Sequence, residues 1–258
     1  GWSVGARFRL VSGNPSAPVT SSIYDSFADV FDDDWASDVG GMFETAGYMT
    51  LTQTKVLEFI ESFEDRETNR DPEAFARDVL GHDPWDVPLE IMRELDKPNA
   101  SVAVKACHAS GKTFSAAEIA LYYVCERQAL VITTAPTDAQ VKRLLWGEIK
   151  KFHANSREPL GGYLLDKELR YSESNYAVGF STDQAVRFSG YHGDLVVIIV
   201  DEAPGLREEI YDAIEGVRAG GDVRLLLIGN PVISGGTFED AFKKKRSLWT
   251  TFTINAYD

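Results

Sequence analysis

The chain has 258 residues, 44% of them hydrophobic, which is enough for one large core and an appendage and is ordinary for a globular protein. Its net charge of −14 is uneven, with 6 Lys/Arg against 15 Asp/Glu in residues 1–80 and 20 against 25 in residues 81–258, so the chain as a whole does not attract nucleic acid and any DNA contact must be local. No apolar run approaches the roughly 18 residues of a membrane span, the N-terminus lacks the basic-then-apolar order of a secretory signal, and Cys107 and Cys125 form neither a disulfide framework nor a zinc-type cluster.

Residues 1–50 are rich in Gly, Ser and Asp and predict irregular structure, with a short strand near residues 7–11. The Asp32-Asp33-Asp34 run reads as a solvated surface, because EF-hand spacing and its glycine are missing. Residues 51–64 place Val56, Ile60 and Phe63 on one helical face. Residues 72–80 predict a helix stopped by Gly81, and Pro88 opens another over 89–95.

From residue 100 the chain alternates strands and helices, the pattern of an α/β fold with a mainly parallel sheet. Strands are expected at 101–105, 129–134, 195–200, 223–228 and 249–254, and a hairpin at 168–181 around Glu173-Ser174-Asn175. Helices are expected at 113–127, from a cap at Thr137 or Asp138 to His153, at 206–217 and at 238–245.

Between the first strand and its helix lies Cys107-His108-Ala109-Ser110-Gly111-Lys112-Thr113. A Gly-Lys-Thr at a strand-to-helix turn presents backbone N–H groups and a helix N-terminus to an anion. Lys112 can then reach the β- and γ-phosphates of ATP, and the Thr113 hydroxyl can hold Mg²⁺. The usual first glycine of the pattern is replaced by Ala106. The run Leu-Val-Val-Ile-Ile-Val at 195–200 reads as a buried parallel strand delivering Asp201 and Glu202 at its carboxyl end, where such sheets place ligands. Asp201 there suits the Mg²⁺ shell, and Glu202 the polarisation of an attacking water.

Thr134-Ala135-Pro136-Thr137 follows the second core strand, with Gln140 and Trp146 beyond it. It suits either a turn contacting nucleotide and DNA phosphates or a plain cap of the next helix. Lys142, Arg143, Lys150 and Lys151 give that helix a basic face, either solvated or in contact with DNA. Asn230, in Gly229-Asn230-Pro231 after another core strand, suits a γ-phosphate sensor; the tripeptide is also a common turn.

Together with Phe-Ser-Gly-Tyr-His at 188–192, these motifs resemble, in order and spacing over residues 75–258, the ATPase domain of the large terminase subunit of tailed bacteriophages. The resemblance implies an additional-strand, RecA-like P-loop fold, with an extra strand between the phosphate-loop strand and the acidic strand. An acidic N-terminal extension, 1–70, would precede an ATPase domain, 71–258. The implied activity is Mg²⁺-dependent ATP hydrolysis driving double-stranded viral DNA into a procapsid in the host cytoplasm. The implied partners are the portal, the small terminase subunit and further copies in a ring, a pentamer in the family, with an isolated domain monomeric. Catalytic roles would fall to Glu202, Lys112 and Asn230, and to an arginine acting on a neighbouring subunit, for which Arg187 is the candidate and Arg143 and Arg218 weaker ones. Trp85 would stack on the base, although the Gln that follows this Trp in the family is absent. His108 stands where many family loops carry Arg. The family's nuclease domain would begin where this chain stops, so no DNA cleavage is expected of it. Two other readings are a helicase-like ATPase, on motifs similar to Asp-Glu-Ala-Pro and Thr-Ala-Pro-Thr, and a non-hydrolysing scaffold module.

Overall fold

The computed structural model describes residues 70–181, 188 and 190–255. The expectations for residues 1–69, and those for Arg187 and Ser189, lie outside the described residues.

Among the described residues, two helices precede the sheet. The first, α1, starts at Pro72–Ala74 and widens into π-type turns over Phe75–Leu80. Asp71 caps it by accepting the N–H groups of Glu73 (2.9 Å) and Ala74 (3.0 Å), and Gly81 ends it in the left-handed region at φ 79°. The second, α2 (Asp86–Leu95), begins ahead of Pro88 rather than after it. Pro88 is its third residue, where an N–H has no intrahelical partner to lose.

Strand β1 (Ser101–Ala106) then feeds the phosphate loop and helix α3 (Lys112–Glu126). β2 (Leu130–Ala135) follows, and helix α4 runs through Gln140–Leu145 in wide turns and Trp146–Asn155 in regular ones. β3 (Tyr163–Leu164), β4 (Glu168–Arg170) and β5 (Tyr176–Ser181) form an antiparallel arm, which contains the expected hairpin. β6 (Leu195–Val200), helix α5 (Glu208–Arg218), β7 (Asp222–Gly229), helix α6 (Gly236–Phe242) and β8 (Thr250–Ile254) complete the fold.

Two helix boundaries differ from expectation. Leu206 and Arg207 are extended, with ψ of 142° and 146°, so α5 starts at Glu208. Lys243 leaves helical geometry at φ −122°, ψ −94°, so α6 stops well short of Lys245.

The sheet order is β3-β4-β5-β2-β6-β7-β1-β8, parallel from β5 through β8. β7 lies between β1 and β6, which is the additional-strand arrangement. Side chains alternate between the faces, as the two-residue period requires. Val102, Val104, Val197, Ile199, Leu226 and Ile228 pack under α1–α4. Ala103, Val196, Ile198, Val200, Leu225 and Leu227 pack under α5 and α6. Helices therefore cover both faces, which is why these strands read as unbroken apolar runs.

The amino-terminal edge of the sheet is braced by one carboxylate. Asp96, at the end of α2, accepts from Tyr122 (3.2 Å), Tyr123 (3.1 Å), Arg127 (3.1 Å) and Arg224 (3.3 Å). This ties α2, the carboxyl end of α3 and the start of β7 together.

Candidate nucleotide-binding site

The carboxyl ends of β1 and β6 bring four of the expected residues together, Lys112, Thr113, Asp201 and Glu202. Gly111 turns the chain into α3 at φ 76°, and a methyl built on it would meet nothing within 4 Å, so space lies open over the loop. Ala109 also takes a left-handed conformation, at φ 60°. Ser110 Oγ donates to Cys107 O at 2.9 Å, and Cys107 N–H donates to Ile254 O of β8 at 3.3 Å, which anchors the loop to the sheet. His108 is exposed.

Lys112 and Thr113 form the first turn of α3, and both face the end of β6. Lys112 Nζ stands 3.1 Å from Glu202 Oε1, and Thr113 Oγ1 donates to Asp201 Oδ2 at 3.2 Å. Asp201 is 2% exposed. Its N–H donates to Thr134 O of β2 at 2.9 Å, extending the ladder one residue past the strand. Burial and the neighbouring Glu202 push the Asp201 carboxyl up; the Glu202 N–H, Thr113 and Lys112 pull it back.

Glu202 sits at φ 51°, ψ 41°, which costs a non-glycine residue about 1–3 kcal/mol. Two contacts hold it there. Its N–H donates to Asp201 Oδ1 at 2.9 Å, and its carbonyl accepts from Gly205 N–H at 2.9 Å. This turn aims the carboxylate back at Lys112.

The oxygen donors Thr113 and Asp201 suit Mg²⁺, which takes few protein ligands and completes its shell with phosphate and water. No group of three or more His, Cys, Asp or Glu that could hold a metal ion exists among the described residues. Asn230 directly follows β7, between the strands carrying the loop and the acids. Trp85 stands at the start of α2, 37% exposed.

Other motif residues make structural contacts. Thr137 and Gln140 make a reciprocal cap: Gln140 Oε1 accepts from Thr137 N–H (3.0 Å), and Thr137 Oγ1 accepts from Gln140 N–H (3.3 Å). Trp146 is fully buried and donates Nε1–H to Thr133 Oγ1 at 2.9 Å, lying against Gly179, where a methyl would be only 2.1 Å from Nε1. On the basic face of α4, Lys142 (2.5 Å) and Lys150 (2.7 Å) both bind Asp166, and Lys151 binds Glu148 (3.3 Å), so three of the four cations are paired with acids. Arg218 bonds Ser101 Oγ at 2.7 Å at the amino-terminal edge, away from this site. A buried Glu118 within α3 went unremarked in the sequence; its signal is a lone acid among Ala116, Ala117, Ile119 and Ala120.

No family model matches the chain. Over 178 residues it is 29% identical to a "Probable terminase, large subunit" of Enterobacteria phage P7, a match covering 64% of this chain and 36% of that protein. The chain therefore spans about a third of that relative's length. The large terminase ATPase domain of Thermus phage P74-26 superposes with a TM-score of 0.52 at 19% identity, covering 75% of this chain and 88% of that one. The large terminase of another thermophilic bacteriophage, in complex with ADP, superposes with a TM-score of 0.51 at 11% identity, covering 68% and 46%. The chain is thus similar in sequence to a large terminase subunit and has the fold of large-terminase ATPase domains.

Proposed function

We propose that this chain is the ATPase module of a viral DNA-packaging motor, hydrolysing ATP with Mg²⁺ to move double-stranded DNA into a procapsid. The observation that carries the reading is the convergence of Lys112, Thr113, Asp201 and Glu202 at one sheet edge, in the fold of large-terminase ATPase domains. In this reading the backbone of residues 107–111 surrounds the phosphates, and Lys112 bridges their β and γ oxygens. Thr113 and Asp201 would hold Mg²⁺, which when bound would neutralise charge on the phosphates. Glu202 orients a water and takes its proton, and Asn230 senses the γ-phosphate from the end of β7. Lys112 Nζ stands 3.1 Å from Glu202 Oε1, so in this reading one ammonium would face both the phosphates and that carboxylate. Arg187 is proposed to act on a neighbouring copy in a ring docked on the portal, with a small terminase subunit as a further partner and the host cytoplasm as the place of action.

The names of the relatives above favour packaging over a helicase-like role. Glu202→Gln tests the hydrolytic assignment: ATP should still bind by calorimetry, while turnover in the portal-bound motor falls about 10²–10⁴-fold. Unchanged turnover would show that Glu202 is not the base. Absence of ATP binding by the parent chain at millimolar nucleotide would favour a scaffold module.

A further inference from the structure

Glu202 keeps its left-handed backbone because the turn behind it, Ala203–Gly205, is held in place. Three elements touch that turn. The exit of β2 packs against it, since a methyl on Gly205 would stand 2.9 Å from Pro136 Cγ. The end of β7 does so too, with Gly229 lying against Pro204. These are van der Waals contacts, which exclude overlap without directing a backbone torsion.

The third element is α5, through its fourth residue, Tyr211. Helical side chains lean toward the amino-terminal end of their helix. Tyr211 follows that lean, and its hydroxyl donates to the carbonyl of Ala203, eight residues earlier, at 2.7 Å. The bond is buried, with Tyr211 5% and Ala203 0% exposed. Burial first, and then Glu208, push the phenol above its usual range, so the hydroxyl keeps its proton and remains a donor.

A buried phenol ordinarily finds some acceptor. What singles out this bond is where the acceptor lies. The carbonyl belongs to the residue directly after Glu202, and it also accepts from Leu206 N–H at 3.1 Å, which closes the turn. The Glu202 N–H, by contrast, leans on Asp201 Oδ1, a carboxylate that the reading above also assigns to Mg²⁺. Tyr211 holds the turn from outside it and draws on none of the charged groups of the site. We propose that Tyr211 is a positioning residue for Glu202: its bond to the Ala203 carbonyl fixes the turn that keeps Glu202 left-handed and its carboxylate 3.1 Å from Lys112. The phenol touches no phosphate and exchanges no proton. This inference rests on the ATP-hydrolysis reading above.

The test is Tyr211→Phe, which deletes one oxygen and keeps the ring, made in wild type and in the Glu202→Gln background. Thermal melts set a working temperature at which every variant is folded. ATP affinity by calorimetry should stay within about 2-fold, because a residue that acts on the chemical step lowers turnover without changing binding. Turnover by the portal-bound motor should fall about 3- to 10-fold, the effect of one typical hydrogen bond. In the Glu202→Gln background the same change should lower turnover no further, since the residue it positions is already disabled. Unchanged turnover in Tyr211→Phe would overturn the proposal. A loss of equal size in both backgrounds would also overturn it, because Tyr211 would then act elsewhere than through Glu202. A fall in ATP affinity matching the fall in turnover would overturn it as well, leaving a structural role. Wild-type turnover in Glu202→Gln alone would overturn the underlying reading, and is told apart from these outcomes because Tyr211 is then intact.

Discussion

Gly229, the last residue of β7, lies against Pro204 so closely that an added methyl would sit 2.2 Å from Pro204 Cδ and 3.1 Å from Ala203 N. Neither neighbour is a flexible side-chain tip, so the turn after Glu202 must move if Gly229 gains a side chain. Overpacking of this kind costs about 1–3 kcal/mol. Gly229→Ala should therefore lower Tm by roughly 2–12 °C. Because the displaced turn holds Glu202, ATP turnover measured well below Tm should fall too. A variant with wild-type turnover would show that the turn relaxes without moving the carboxylate.

Lys112 is 10% exposed and paired with Glu202 at 3.1 Å. Hydrogen bonds to charged groups contribute about 1.5–3 kcal/mol. Lys112→Ala should thus weaken ATP binding by roughly 10- to 150-fold in calorimetry. An unchanged affinity would remove Lys112 from the phosphate contacts.

Glu118 makes stability depend on pH. In the folded chain burial raises its carboxyl to about 7, against 4.5 for a free glutamate. Between these values the unfolded chain has released a proton that the folded chain keeps. The stabilising contribution is complete below about pH 4.5 and is lost as pH rises to about 7, by as much as ~3 kcal/mol. Glu118→Gln has no proton to lose. Urea midpoints should therefore shift in the variant's favour, relative to wild type, as pH rises through this window. A constant difference between the two from pH 4.5 to 8 would mean that the carboxyl ionises as freely as in water.

The Asp96 cluster offers a control remote from the site. Asp96→Asn keeps the shape but leaves Arg127 and Arg224 facing a neutral amide. The group is partly exposed, so the loss should be about 2 kcal/mol, below the 3–5 kcal/mol of fully buried pairs. ATP affinity should stay within about 2-fold, because the cluster braces the opposite sheet edge. A larger fall in affinity would mean that the brace and the site are coupled.

What the sequence made legible follows from what is locally encoded. Strands buried on both faces announce themselves as apolar runs, and Leu195–Val200 with Asp201 and Glu202 behind it could be read directly. The same holds for the loop ending in Gly111-Lys112-Thr113. The place of β7 between β1 and β6 came only with the family resemblance, because strand order is not written in the periodicity of any one strand. Trp146 and Gln140 belonged to the recognised motif, but their work is a buried anchor and a helix cap, which only tertiary contacts reveal. The start of α5 was misplaced because Leu206 continues the helical pattern while its backbone is extended. The pairing of Lys142 and Lys150 with Asp166 was equally invisible, since it joins a helix to a distant loop.

The interleaved order of the sheet also sets a schedule for synthesis. β1 and β6 are next-but-one neighbours, and the strand that spaces them, Asp222–Gly229, is made after both. A ribosome-held chain that has not yet released Asp222 already contains Lys112, Thr113, Asp201 and Glu202, but nothing holds β1 and β6 at their two-strand spacing of about 10 Å. Such a nascent chain should capture no ATP, and capture should begin only once Gly229 has cleared the exit tunnel. The proposed nucleotide site is then completed late and all at once.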